Sequence, residues 1–222
     1  MGSDRKLKIG YAGSLAAFDP GKPGKKRSFF KDWFWTYQVD NVDFSTRSGY
    51  YLFKALSEGI KSNTISPGSI EIDLWGSIHE DNGAQVKSMG LNDCVNISGY
   101  QSKEQSVKRL ETCDVLFLPL ECGKDGSETL FIPGKLFEYL KLGKPVLCLT
   151  NGGDCADILL RSGLGILVSP YDTKAVANKL SELVKMKEND ALRFNADTAY
   201  INQFSFEEIT RKMAGEFNRL LK

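Results

Sequence analysis

The chain has 222 residues, of which 41% are hydrophobic and 26% are charged, as in an ordinary soluble globular protein. Its formal net charge of +1 excludes the basic field with which a protein attracts nucleic acid or an anionic membrane. The sequence has neither the roughly 20-residue apolar run of a transmembrane helix nor the opening pattern of a signal peptide, so we expect a cytoplasmic protein.

Short apolar runs alternate with segments of helical periodicity along most of the chain. Several runs, such as the one from Val115 to Leu120, are continuously apolar, which is typical of parallel strands covered on both faces. Strand–helix alternation of this length predicts an α/β fold, a doubly wound, Rossmann-like parallel sheet of about six strands. The predicted strands are Lys8–Ala12, Ile70–Trp75, Val95–Ser98, Val115–Leu120, Pro145–Leu149 and Gly165–Val168. The predicted helices are Gly49–Ile60, Asn82–Met89, Lys103–Thr112, Pro133–Leu142, Asp154–Ser162 and Thr173–Met186.

Two helix starts carry recognisable capping residues. Ser102 precedes the third helix, and Gln105 lies three residues later, which together predict a capping box. Asp172 is the predicted cap of the sixth helix.

The segment 18–41 interrupts the alternation between the first strand and the first helix. It opens with glycine, proline and lysine, which indicates a loop, and continues as an aromatic run. Three interpretations stay open: extra core within the domain, contact with another domain or an acceptor, and contact with a membrane interface. We favour core packing, with contact to another domain second. The aromatic residues are Phe29, Phe30, Trp33, Phe34, Trp35 and Tyr37.

The last segment, 205–222, is predicted to form an amphipathic helix beyond the sixth strand. Its apolar residues fall on one side of a helix. We therefore divide the chain into a domain at residues 1–204 and a C-terminal helix at residues 205–222. The apolar side contains Phe206, Ile209, Met213, Phe217 and Leu220.

Five cysteines and one histidine limit the metal and thiol chemistry open to the chain. The cysteines form no CxxC pair and are spread through apolar segments, which favours reduced, buried thiols. We expect no metal site. The cysteines are Cys94, Cys113, Cys122, Cys148 and Cys155, and the histidine is His79.

The segment Phe131–Leu147 offers the strongest candidate for a ligand site, because ligands of doubly wound sheets bind beyond the carboxyl ends of the strands. Pro133 suits the first helical position, and Gly134 leaves room for a phosphate beside the free amides of the first turn. Lys135 adds a positive charge, and Glu138 shares its helix face. In such a pair the lysine suits a diphosphate, and the carboxylate suits two ribose hydroxyls. On helix geometry alone, an ordinary surface ion pair is the preferred interpretation.

The residues of this segment resemble the signature of family 4 glycosyltransferases, which have the GT-B fold. The resemblance runs through Pro133-Gly134-Lys135-Leu136-Phe137-Glu138-Tyr139-Leu140 and Gly143-Lys144-Pro145-Val146-Leu147. Flanking segments resemble the same family in the same order, from residue 70 to residue 184. They are Gly99-Tyr100, Lys103–Arg109, Cys113-Asp114-Val115-Leu116-Phe117-Leu118-Pro119, Gly163-Leu164-Gly165 and Ser169-Pro170-Tyr171-Asp172.

The resemblance implies a role for the chain as the C-terminal, donor-binding domain of a two-domain transferase. The donor is then a UDP-, GDP- or ADP-sugar, and neither a cofactor nor a metal ion is needed. Glu138 is expected to hold the ribose, and Gly134, Lys135 and Leu136 are expected to lie at the diphosphate. The acceptor belongs mostly to an N-terminal GT-B domain that lies outside the chain, as part of a larger protein that is cytoplasmic or peripheral to the inner face of a membrane.

A second turn, Gly10–Leu15, follows the first strand and supplies Gly13 and Ser14 as candidate phosphate-binding residues. It is not GxGxxG, and a tight turn at a strand end explains it equally well. The family usually carries a basic residue soon after this glycine. The candidates here are displaced by the insertion and are Lys22, Lys25, Lys26 and Arg27.

A third turn, 120–132, is where the resemblance departs from the family pattern. Family members usually carry an acidic residue eight positions before the helix glutamate, and that position is Leu130 here. Either Glu128 takes this catalytic role through a different loop shape, or the site lacks the group. Ser127 and Thr129 are predicted to contact the donor sugar. Tyr100 follows the third strand, where the family often binds the base, although an aromatic cap on the sheet is equally compatible.

The resulting hypothesis is a donor-binding domain that transfers a hexose only together with its partner domain and is inactive alone. A non-catalytic sugar-nucleotide-binding module and a nucleotide-sugar epimerase of GT-B fold remain as alternatives. A nicotinamide-dependent oxidoreductase is the least favoured, because the glycine fingerprint is absent.

Overall fold

A computed structural model of the protein describes residues 5–21, 41–128 and 131–221. The strands are β1 (Leu7–Leu15), β2 (Val42–Asp43), β3 (Ile70–Ile78), β4 (Val95–Ser98), β5 (Val115–Pro119), β6 (Cys122–Gly123), β7 (Val146–Leu149) and β8 (Gly165–Val168). Within the described residues, six of these strands form one parallel sheet in the order β4-β3-β1-β5-β7-β8. All six are predicted from the sequence, and the doubly wound α/β fold is confirmed.

The helices lie between the strands, as the alternation predicts. They are α1 (Tyr50–Lys61), α2 (Glu80–Ser88), α3 (Lys103–Glu111), α4 (Lys135–Leu142), α5 (Asp154–Arg161), α6 (Thr173–Glu188), α7 (Thr198–Asn202) and α8 (Phe206–Leu220). The predicted capping box is present, because the Ser102 hydroxyl accepts a hydrogen bond from the amide of Gln105 and the Gln105 side-chain oxygen accepts one from the amide of Ser102. Asp172 caps α6 by accepting from the amide of Ala175.

Two hydrophobic cores cover the two faces of the sheet. One core holds the buried side of α1, α2 and α6, and the other holds that of α3, α4 and α5. Because side chains alternate along a strand, β5 contributes Val115 and Phe117 to the first core and Leu116 and Leu118 to the second. All five cysteines are free thiols and buried, as predicted.

Strands β1 and β3 run three residues further than the sequence predicts. Gly13 pairs with Gly76 in this extension, and their φ angles are +146° and +122°. A side chain at Gly76 would meet the carbonyl of Gly13. The two glycines therefore continue the pairing at close approach, where the sequence suggests a turn.

Two features of the described chain were not predicted. The antiparallel pair β2–β6 is two residues long on each side, which is too short to leave a periodic pattern. The short helix α7 precedes α8.

No side chain of α8, which lies entirely within the described residues, is buried, and its apolar side is exposed, with Phe206 93% accessible. The aromatic run Phe29–Tyr37 lies outside the described residues. In the described ranges, no helix has the length and apolar character to cross a membrane.

Candidate functional site

The candidate site lies where the strand order reverses. Strand β1 connects through α1 to β3 on one side, whereas its neighbour on the other side is β5. Loops leave the carboxyl ends of these neighbours in opposite directions and open a crevice between them. The loop after β1, the loop after β5 and the start of α4 meet at this crevice.

Gly13 and Lys135 come together in the crevice. Gly13, near the end of β1, adopts a φ of +146°, which L-amino acids with side chains rarely adopt. A Cβ atom at this position would overlap the ammonium of Lys135. The backbone angle thus requires glycine, and a side chain here would also displace the lysine ammonium.

The Lys135 ammonium turns toward β1. It donates a hydrogen bond of 2.7 Å to the hydroxyl of Tyr11 and lies 4.0 Å from the centre of that ring. The Tyr11 hydroxyl in turn donates to the carbonyl of Ser14 over 2.7 Å. Burial, reinforced by the positive charge of Arg47, lowers the pKa of Lys135 to about 8. The interpretation of Lys135 and Glu138 as an ordinary surface ion pair is therefore wrong, because the flexible stem of Lys135 carries its charge inward and Glu138 pairs with Lys103.

Arg47 is the second cation of the site, and the sequence reasoning missed it. It ends the 3-10 turn Phe44–Arg47, which Asp43 caps by accepting from the amide of Ser45. Its Nε atom lies 3.4 Å from the carboxylate of Glu121, the residue that follows β5 by two positions. The candidates weighed from the sequence for this role, Lys22, Lys25, Lys26 and Arg27, lie outside the described residues.

The β2–β6 pair holds Arg47 in place. Strand β2 leads into the turn that ends at Arg47, and β6 belongs to the loop after β5. The Thr46 hydroxyl accepts from the amide of Cys122 over 3.1 Å and donates to the carbonyl of Asp43 over 2.8 Å. A basic residue 34 positions beyond Gly13 thereby reaches the same crevice. The sequence gives one indication of Arg47, which is its position just before the first residues of α1.

The first turn of α4 begins at Lys135, with Gly134 exposed at the N-cap. Pro133 therefore lies before the helix, whereas the sequence analysis placed it at the first helical position. The amides of Leu136 and Phe137 donate to the carbonyls of Pro133 and Gly134. The Leu136 side chain is fully buried. The positive end of the helix and the ammonium of Lys135 thus meet at one point.

Glu138 and Tyr100 lie on the outer side of the same edge. The Glu138 side chain is 51% exposed, and its carboxylate lies 3.3 Å from the ammonium of Lys103 at the start of α3. Tyr100, in the loop between β4 and α3, is 87% exposed. Next to Glu138, Tyr139 is buried, and its hydroxyl accepts from the amide of Ala12 over 3.4 Å. That contact fixes α4 on β1 and orients Glu138 outward.

The loop after β5 places its acidic residues at two different points. Glu121 is buried beside Arg47, whereas the Glu128 carboxylate lies over Gly152, after β7. Ser127 is exposed, and its carbonyl accepts from the amide of Gly123. Hydrogen bonds from Ser127 and Asn41 lower the pKa of Asp125 to about 2, so this carboxylate stays charged. Thr129 and Leu130 lie outside the described residues.

Comparison with known proteins gives a relative in sequence and several in structure. A Salmonella typhimurium protein named as the colanic acid biosynthesis glycosyltransferase WcaL is 24% identical over 131 residues, which are 58% of the chain and 32% of that protein. The Staphylococcus aureus protein TarM aligns with a TM-score of 0.58 at 15% identity, over 96% of the chain and 36% of its own length. Anabaena HepE, in complex with UDP, aligns with a TM-score of 0.57 at 16% identity, over 97% of the chain and 49% of HepE.

The structural neighbours establish the fold, and the chain spans half or less of the length of each of these three proteins. The family is established by the sequence, because residues 47–186 match the model of the family described as Glycosyl transferases group 1. The match begins at Arg47 and covers β3 to β8 with the candidate helix α4. The chain belongs to the group 1 glycosyltransferases.

Proposed function

We propose that the chain binds the nucleoside-diphosphate sugar from which a glycosyltransferase takes its hexose. The observation that carries this proposal is the placement of two cations, Lys135 and Arg47, at a glycine-lined helix start in the switch-point crevice. A diphosphate has the charge and size for this position, because ammonium, guanidinium and helix amides all favour phosphate oxygens. Burial and the charge of Arg47 lower the pKa of Lys135, and a bound diphosphate would favour its protonated form.

The remaining contacts follow from the direction of the crevice. Glu138 is exposed beside the helix start, so its carboxylate suits the two hydroxyls of a ribose. These hydroxyls would replace the ion pair of Glu138 with Lys103. Tyr100 offers an exposed ring for a base further along the same edge. Gly13, Ser14 and Gly134 contribute backbone at the diphosphate. Three structural neighbours, TarM, HepE and the pneumococcal O-GlcNAc transferase GtfA, were solved in complex with UDP, which supports a nucleotide as the ligand.

Transfer requires more than the donor site. Developing charge on the diphosphate leaving group is stabilised by Lys135, Arg47 and the helix start, without recourse to a metal ion. We place Glu128 near the transferred sugar. The exposed apolar side of α8 suits contact with a second domain, which holds the acceptor, and we expect the isolated chain to be inactive.

A non-catalytic sugar-nucleotide-binding module is the second candidate. It is favoured by one observation: the Glu128 carboxylate lies against Gly152 rather than beside the cation pair. Product analysis with the full-length protein distinguishes the two, since only a transferase releases nucleoside diphosphate in the presence of an acceptor.

Calorimetric titration of the chain with UDP, GDP and ADP, without added metal, tests the proposal. We expect saturable binding of one nucleotide, weakened about 10- to 100-fold in Lys135→Ala and in Glu138→Ala, since a hydrogen bond to a charged group contributes about 1.5–3 kcal/mol. The matched controls are Lys185→Ala and Glu111→Ala, which remove exposed charges at the ends of α6 and α3. Equal affinity in all four variants contradicts the site, and no binding of any nucleotide contradicts the function.

A further inference from the structure

Arg47 is contacted on two sides of its guanidinium. The Glu121 carboxylate faces one edge, with Oε2 3.4 Å from Nε. The ring of Phe131 lies against the face, with 5.8 Å between the ring centroid and Cζ of Arg47. Glu121 belongs to the loop after β5, and Phe131 belongs to the loop that leads into α4. Two loops of the site therefore hold the cation that the turn before α1 supplies.

Glu121 is deeply buried for a carboxylate. Only 10% of its side chain is exposed, and Oε2, the oxygen that faces Arg47, has no hydrogen-bond partner among the described residues. A buried carboxylate is costly unless an opposite charge compensates it. The position of Glu121 therefore depends on Arg47, and the guanidinium is in turn attracted to this point by its Nε edge.

The backbone beside this ion pair is joined by a hydrogen bond. The amide of Cys122 donates to the hydroxyl of Thr46 over 3.1 Å, and these two residues are the chain neighbours of Glu121 and Arg47. Strands β2 and β6 pair directly beside that bond. The fold itself therefore brings the carboxylate and the guanidinium together.

A guanidinium can make these contacts and still bind an anion. It carries one N–H on Nε and four on its two Nη atoms. When Nε faces Glu121, the Nη atoms remain for phosphate oxygens, which a planar guanidinium binds in a bidentate manner. The Phe131 ring restricts the guanidinium through its face and uses none of the N–H donors.

We propose that Glu121 and Phe131 are positioning residues that act on the diphosphate through Arg47. The carboxylate holds the Nε edge and the ring holds the face, so the Nη atoms are oriented before the nucleotide binds. A free arginine side chain loses rotamer freedom when it binds a ligand, whereas one that is already held has lost it on folding. The inference rests on the proposed diphosphate function and adds two residues to which that function assigns no contact with the nucleotide.

The Nε–Hε NMR signal of Arg47 tests the two contacts without any nucleotide. The signal is assigned by its loss in Arg47→Gln. We expect it to shift and broaden in Glu121→Met, which keeps side-chain volume without the carboxylate, and in Phe131→Leu, which removes the ring. Glu121→Gln keeps an oxygen for Nε–H and should preserve a resolved signal. Glu111→Met, the same change at the exposed end of α3, is the matched control. A signal that either test substitution leaves unchanged overturns the role of that residue.

A double-mutant cycle tests the action of Glu121 on nucleotide binding. Loss of the Glu121 charge makes the crevice more attractive to any anion, and this effect is present with or without Arg47. Positioning, by contrast, requires Arg47. We therefore expect the change in nucleoside diphosphate affinity caused by Glu121→Met to be at least about fivefold less favourable in the parent than in Arg47→Gln. Equal changes in the two backgrounds overturn the positioning role of Glu121.

Phe131 provides a second cycle that leaves the net charge unchanged. Phe131→Leu should weaken nucleoside diphosphate binding about two- to fivefold in the parent and leave it unchanged in Arg47→Gln. Phe131→Tyr keeps the ring and should retain the parent affinity. The ring is 45% exposed, so these variants keep the test decisive should Glu121→Met fail to fold in urea unfolding. Equal effects of Phe131→Leu in both backgrounds overturn the role of the ring. A parent that binds no nucleoside diphosphate contradicts the proposed function instead, and the NMR signal then decides whether the two residues hold Arg47.

Discussion

The ammonium of Lys135 lies 2.7 Å from the hydroxyl of Tyr11, which it contacts from above the ring, and no carboxylate is its hydrogen-bond partner among the described residues. The opposite charge that raises its pKa is that of Glu138, whose effect is smaller than those of burial and Arg47. A lysine ammonium in this position is available to bind an anion.

Nucleotide affinity should depend on pH between 7 and 9. Lys135, with a pKa of about 8, is protonated below this window and neutral above it. A bound diphosphate favours the protonated form, so affinity should fall as pH rises through about 8. The terminal phosphate of the nucleotide does not titrate in this window, because its second pKa is about 6. Calorimetry at pH 7, 8 and 9 measures the effect, and the pH dependence should vanish in Lys135→Met.

Substitution of Arg47 should move that pH dependence upward. The guanidinium lowers the pKa of Lys135 through charge repulsion, so Arg47→Gln raises it toward the ordinary value. We expect weaker nucleotide binding at pH 7 and a midpoint above that of the parent. An unchanged midpoint would show that Arg47 does not face the ammonium.

Lys135→Met should stabilise the empty domain while it weakens nucleotide binding. The pKa of the lysine is lower in the folded than in the unfolded state, so unfolding takes up protons between pH 8 and 10.5. Stability of the parent therefore rises with pH across that window and is reduced below it. Methionine keeps the packed stem without the charge, and at pH 7 we expect about 1–2 kcal/mol of added stability by urea unfolding. A loss of stability contradicts the interpretation of the buried charge.

Gly13→Ala should damage both fold and binding. The added methyl meets a φ of +146° and the ammonium of Lys135. We expect a loss of at least about 1–3 kcal/mol in unfolding free energy together with weaker nucleotide binding. Gly83→Ala is the matched control. That glycine lies in α2 with open space around its Cα, so alanine should stabilise the domain by about 0.5–1 kcal/mol.

The sheet and its helices could be predicted because parallel strands bury both faces and leave continuous apolar runs such as Val115–Pro119. Helical periodicity likewise predicted α4, the helix that carries Lys135 and Glu138. The direction of Lys135 could not be read from helix position, since a four-carbon stem can carry its charge to a strand such as β1. The place of Arg47 in the site could not be predicted from the sequence for another reason. Its place depends on the β2–β6 pair and on Thr46–Cys122, which join segments 76 residues apart.

In the proposed site Lys135 and Arg47 hold a diphosphate, and this can be measured as one ratio, the affinity for the bound nucleoside diphosphate divided by that for its monophosphate. We predict a ratio of about 10 or more in the parent and a fall of the ratio toward unity in Lys135→Ala. The ratio should be unchanged in Glu138→Ala, whose carboxylate is assigned to the ribose. A ratio that is unchanged by Lys135→Ala would contradict it.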